Sequence, residues 1–198
     1  VALLDGRIIA HAQDARWVIA EDDGNHRCRI GKQELEYSIS LTDGLWRIDT
    51  RTMGIWAILF VSNERHAVES LMLWYAGVAA QGWDDGGPTP YSRRRYFDLP
   101  LGVGLRPSGE GELRLEWGNG SWANFPVKQY NRALDLGQVV LSSLDEIETS
   151  LQAPDGRPLF MSVGELQDLQ ESSDEWYSPV GAPASWAEYV AWKEEQDE

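Results

Sequence analysis

Leu35-Glu36-Tyr37-Ser38-Ile39-Ser40-Leu41 decides how this chain is read. Apolar residues at 35, 37, 39 and 41 alternate with polar residues at 36, 38 and 40, the two-residue period of a strand with one buried face. Thr42-Asp43-Gly44 is a turn signal, with a glycine able to take positive φ. Leu45 to Arg51 then returns as the second arm of a hairpin. Working outward, Arg16 to Ala20 reads as a short apolar strand. Ile55 to Val61 reads as a buried strand or as the start of the next helix, since periodicity alone does not separate the two. Ser62 is a good N-cap residue, and Val68, Leu71, Met72, Tyr75 and Val78 fall at helical spacing behind it. A helix is expected from about Asn63 to Ala79, with Glu64, Arg65 and Glu69 on its other side. Gly82 to Pro90 breaks that helix as a long surface loop.

A second hairpin follows. Leu113, Leu115 and Trp117 share one face of a strand over Glu112 to Trp117. Gly118-Asn119-Gly120 turns the chain, and Ser121 to Val127 returns. A second helix is expected from about Arg132 to Leu151, striped by Val140, Leu144, Ile147 and Leu151 and weakened by Gly137. Pro154-Asp155-Gly156 turns into a last short strand, Pro158 to Val163. The expected class is α+β: antiparallel hairpins with two main helices packed on the sheet, plus a short C-terminal helix.

The chain has 198 residues and a formal net charge of -15. That length suits one compact domain with a sizeable core. The charge is uneven. Residues 1–164 hold 22 acids and 16 bases, and residues 165–198 hold 10 acids and one base, Lys193. The expectation is therefore a single domain over 1–164 followed by an acidic, aromatic-containing extension over 165–198. Within the extension, Ser185-Trp186-Ala187-Glu188 is a capping box for a short helix along which Trp186, Tyr189, Val190 and Lys193 lie on one face. A helix so short needs something to dock on, either the body of the chain or a partner.

Such an acidic chain is a poor match for nucleic acid, whose phosphates call for a basic face, and for an anionic membrane surface. The longest clean apolar run, Ile55 to Val61, is too short to span a bilayer. The chain opens at Val1 with no charged-then-apolar leader, which sets a cytoplasmic location as the expectation. One cysteine, Cys28, excludes an intramolecular disulfide and a multi-cysteine metal site. His26 and Cys28 are the nearest approach to a metal cluster and are better read as part of a surface hairpin turn, because two ligands need two more. His66 is expected to pair with Glu69 or face solvent. No nucleophile elbow, phosphate loop or dinucleotide fingerprint is present. Acids are too many for counting to pick out a catalytic pair. The expectation is a protein that is not an enzyme and needs no cofactor or metal.

Ten tryptophans stand out. Trp17, Trp46, Trp56, Trp74, Trp117 and Trp122 lie in expected strands or helices and most simply build the core. Trp83 sits in the Gly/Pro loop beside Asp84 and Asp85, where it either binds a basic partner or tucks over the first helix. Asp174, Glu175, Trp176 and Tyr177 form a similar acidic-aromatic group in the extension. These seven residues are the candidate partner-binding set. Arg93-Arg94-Arg95 is the only basic run, and suits ion pairing with the acidic extension.

The order of elements adds a resemblance. The stretches Leu35-Glu36-Tyr37-Ser38-Ile39, Gly44-Leu45-Trp46-Arg47-Ile48, Leu73-Trp74-Tyr75-Ala76-Gly77 and Ser150-Leu151-Gln152-Ala153-Pro154-Asp155-Gly156-Arg157-Pro158-Leu159-Phe160 resemble the immunity protein 61 family, over roughly residues 3–163. These are single-domain antitoxins of bacterial polymorphic-toxin systems. The resemblance implies a cytoplasmic bacterial protein that binds a cognate secreted toxin domain, of the necrotising type that hydrolyses NAD+, and blocks its active site. Such an inhibitor needs no catalytic residues. The resemblance transfers no individual binding residue, and residues 165–198 depart from the family pattern. A net acidic surface would steer a basic toxin domain toward it. A second reading is a Trp-rich module that binds carbohydrate or another small ligand, which calls for two or three coplanar exposed tryptophans. A third is an enzyme with paired carboxylates facing each other in a cleft.

Overall fold

The computed structural model describes residues 3–22, 27–32, 34–81, 89–90, 99–118, 120–153 and 156–161. In chain order the elements are α1 (Gly6–Asp14), β1 (Val18–Asp22), β2 (Arg27–Gly31), β3 (Leu35–Thr42), β4 (Leu45–Thr52), β5 (Ile55–Ser62) and α2 (Arg65–Ala80). There follow β6 (Thr89–Pro90), β7 (Val103–Gly109), β8 (Glu112–Trp117), β9 (Ser121–Pro126), α3 (Tyr130–Val139), α4 (Leu144–Gln152) and β10 (Phe160–Met161). Eight strands form one antiparallel sheet in the order β1-β2-β3-β4-β5-β9-β8-β7, and β10 pairs with β6. The fold is α+β, with the helices packed on one side of the sheet.

The inner face of the sheet supplies Ile30, Ile39, Ile48, Phe60, Leu113, Leu115, Ala123 and Phe125, all fully buried. Phe60 and Phe125 meet there across β5 and β9, with ring centroids 5.1 Å apart. Against this face lies α2. It is buried nearly all round, including Ala67, Val68, Leu71, Met72, Leu73 and Ala76, and it touches α1, α3 and α4 as well as the sheet. A helix buried nearly all round belongs in the middle of a domain.

Several elements differ from the sequence expectations. The first strand starts two residues later, at Val18, because Arg16 takes positive φ (58°) in the turn that ends α1. α1 itself was not expected. Asp5 caps it, its carboxylate accepting from the Arg7 amide at 2.9 Å. Ile55 to Val61 is a strand, but Ile55, Trp56, Ala57 and Ile58 are exposed and only Leu59 and Phe60 are buried. Glu64, with no side-chain cap hydrogen bond, is the N-cap of the following helix where Ser62 was expected, and Ser62 instead ends the strand. Its hydroxyl accepts from the Glu64 amide at 3.0 Å and donates to the Trp122 carbonyl at 2.7 Å. The helix behind it starts at Arg65, and Glu69, expected on a solvent side, is buried against Arg65 at 2.8 Å.

The expected second helix is two helices. Ser143 and Glu146 form a complete capping box, which starts α4 anew where one continuous helix was expected. Gly137 in α3 is a close-approach position: a Cβ there would lie 2.5 Å from Leu99 Cδ2. β7 was missed because Gly104, Pro107 and Gly109 interrupt its pattern, and Phe160–Met161 is the strand within the expected 158–163 stretch. The expected loop over 82–90 ends in β6, with residues 82–88 outside the described set.

Candidate functional site

The strand pairing places outward-pointing residues in rows that cross the sheet. One row runs through paired positions across seven of the eight strands: Arg27, Ser40, Arg47, Val61, Asn124, Arg114 and Arg106. A second contains Ala20, Arg29, Ser38, Asp49 and Ile58, and a third Val18, Gly31, Glu36, Arg51 and Trp56. Six arginines of an otherwise acidic chain thus share one face. Among the described residues no helix packs on it, since the helices cover the opposite, apolar face.

The arginines are organised by acids and rings. Arg47 grips Asp49, its Nε donating to both carboxylate oxygens at 2.9 and 3.0 Å, and this bond raises the arginine pKa. Arg106 holds Glu116 at 2.6 and 2.9 Å, which keeps that carboxyl below its usual range. Glu36 lies 3.3 Å from Arg51 and 3.8 Å from Arg29. Those two arginines flank Trp56, with guanidinium carbons 6.0 and 5.8 Å from its ring centroid. Arg114 stacks 4.6 Å above Trp122 and donates to the Asn124 side chain at 2.8 Å. Such cation–π stacking keeps a guanidinium flat and its edge donors available to a partner.

Two buried polar atoms on this face, Ser38 Oγ and Arg51 Nε, have no hydrogen-bond partner among the described residues. They lie on adjacent strands near Trp56. Buried polar atoms normally find partners, so these two are a local departure from that rule. Trp56 and Trp122 stand in different rows, and Trp122 is half-buried under Arg114.

The remaining candidates fall elsewhere. Trp83, Asp84, Asp85, Asp174, Glu175, Trp176 and Tyr177 lie outside the described residues, as do Arg93, Arg94, Arg95, His26 and the expected helix after Ser185. Cys28 is not on a surface turn. It is fully buried in β2, and burial, followed by the nearby Glu21, pushes its thiol up to about 11. His66 neither pairs with Glu69 nor faces solvent. Its Nε2 lies 3.0 Å from the Ser142 carbonyl oxygen and 3.2 Å from Ser70 Oγ, tying α2 to the junction before α4. His11 sits 3.4 Å from Glu148. Among the described residues no three or more His, Cys, Asp or Glu are grouped to hold a metal ion, and no helix is long and apolar enough to cross a membrane. Of the body tryptophans expected in the core, Trp17, Trp74 and Trp117 are buried and Trp56 is exposed.

The sequence reading missed this arginine face. Its signal was present strand by strand, as Arg27 and Arg29, then Arg47, Asp49 and Arg51, each on the polar phase of the alternation. Their assembly into rows depends on the register of eight strands.

No family model and no curated protein matches the chain. A solved structure, Rv3902c from M. tuberculosis, is similar to it with a TM-score of 0.65 and 16% identity, covering 80% of this chain and 94% of that chain. At that identity the likeness speaks for the fold alone.

Proposed function

We propose that this chain is an immunity protein, an antitoxin that binds a cognate secreted bacterial toxin domain and blocks its active site. The toxin class we assign is an NAD+ glycohydrolase, as the family resemblance implies. The observation that carries the reading is the open sheet face: six arginines and the exposed Trp56. Trp and Arg are the residues enriched at binding hot spots. The shared fold with Rv3902c is compatible with the reading.

Charge acts at two ranges in this account. The net charge of -15 steers a basic partner at long range and raises its association rate, an effect that salt screens. At contact, the arginine rows recognise carboxylates or carbonyls on that partner. Inhibition by occlusion requires no catalytic residue and no cofactor from this chain, and the cytoplasm is where it would protect the producing cell.

The test is co-expression with a bacterial toxin domain of the NAD+ glycohydrolase class. Toxin alone should collapse the cellular NAD+ pool and stop growth, and toxin with this chain should preserve both. Purified chain should abolish NAD+ hydrolysis at a one-to-one ratio. NAD+ loss that is unchanged by soluble, folded chain would refute the proposal.

A further inference from the structure

β5 pairs with β4 along its whole length but with β9 only at Val61 and Ser62. The register shifts between Ile48 and Asp49, where Leu59 is the extra residue on β5. Beyond this bulge, the edge of Ile55 to Ile58 away from β4 has no strand beside it among the described residues. The segment is also exposed in part. Ile55 is 73% exposed, Trp56 41% and Ile58 39%, and Met53 in the adjoining turn is 89% exposed. Trp56 and Ile58 point outward, while Ile55 and Ala57 take the inner phase, past the reach of the helices. An open, apolar strand edge without charge or proline is a template for another strand.

We infer that this edge pairs with the same edge of a second copy, antiparallel about a two-fold axis at Ala57. The sequence Ile55-Trp56-Ala57-Ile58-Leu59 suits its own reverse. The axis sets Ala57 opposite Ala57 of the second copy, the smallest side chain where the strands are closest in space. Trp56 then faces Ile58, so the exposed cross-strand pairs are apolar and no like charges meet. The four exposed side chains present at most on the order of 500 Å² per copy, or about 1,000 Å² over both, which places the contact at the weak, transient end of the scale. Pairing continues the sheet from one copy into the next and leaves the arginine row from Arg27 to Arg106 open on each. The inference rests on the strand edge, and it shares Trp56 with the face proposed for the toxin.

The test is sedimentation velocity of the full chain from about 1 to about 200 µM, a span that brackets the micromolar affinity of small interfaces. The weight-average mass should rise from monomer toward dimer. Amides 55–59 should gain hydrogen-exchange protection with concentration. Trp56→Glu and Ile58→Lys change exposed positions, so each should stay monomeric with an unchanged thermal midpoint. A wild type that stays monomeric across the range would overturn the inference, and so would a dimer that persists in both variants.

Discussion

Replacing Gly77 with alanine tests the packing that holds the helical layer under the sheet. Gly77 lies in the buried stretch of α2 where it meets α4. A Cβ at this position would come within 3.2 Å of Leu151 Cγ and Cδ2, and closer still to Cδ1. Leu151 is fully buried, and its carbonyl accepts a hydrogen bond from the Gln81 side chain at the end of α2. The leucine therefore has little room to retreat. In an open helix, Gly→Ala would stabilise by about 1 kcal/mol. Overpacking in a filled core costs roughly 1–3 kcal/mol. The net expectation is a loss of about 1 kcal/mol, or a drop of some 2–4 °C in Tm for a chain of this size. Leu151→Ala alone should cost about 2–5 kcal/mol through the cavity it leaves. In the double variant the new methyl partly refills that cavity, so the two losses should fall short of additive by at least about 1 kcal/mol. Urea unfolding of the four proteins measures each quantity. A Gly77→Ala protein that is about 1 kcal/mol more stable, with additive losses in the double variant, would refute the packing argument.

Other expectations are more local. Cys28, buried and with its thiol pushed up to about 11, should resist alkylation at pH 8 in the folded protein and react readily once unfolded; prompt reaction of the native protein would contradict its placement. Ser143→Ala removes the capping box that starts α4 and should cost about 1 kcal/mol, read from urea midpoints. The Asp5 and Glu146 carboxyls are held below their usual range, Asp5 chiefly by the Arg7 side chain and Glu146 chiefly by the Ser143 amide. The unfolded chain therefore binds more protons near pH 4, so their contribution is full at neutral pH and is lost as pH falls through about 4 and below. Asp5→Asn should make the acid limb shallower, which a circular-dichroism titration checks. A steepest loss above about pH 5 would contradict the assignment.

How legible the fold was depended on how completely each element separates its two faces. β3 alternates cleanly because Tyr37 and Ile39 enter the core while Glu36 and Ser40 do not, and β8 alternates for the same reason. α2 was readable as a helix, but its stripe was drawn too narrow, because a helix buried nearly all round has no true polar side. The α3–α4 break carried its own signal in Ser143-Leu144-Asp145-Glu146, which the apolar stripe from Val140 to Leu151 obscured. β7 was hidden by Pro107 and its glycines. The site was least legible. Arg27, Arg47, Arg114 and Arg106 are scattered along the chain, and only the pairing of eight strands brings them into one row. A search for runs of charge finds Arg93-Arg94-Arg95 and passes over an array spaced by the pleat. Trp56 was assigned to the core because its strand is apolar throughout. The bulge at Leu59 and the end of β9 are what leave it exposed.

The central claim is that the open arginine face binds the toxin domain. Calorimetric titration of a toxin domain of the NAD+ glycohydrolase class into wild type, and into a variant carrying Arg27→Ser, Arg47→Ser and Arg114→Ser, tests it most directly. The account predicts tight one-to-one binding by wild type, and at least a hundredfold loss of affinity in a variant that keeps the wild-type unfolding profile. Equal affinity of the two proteins would contradict it.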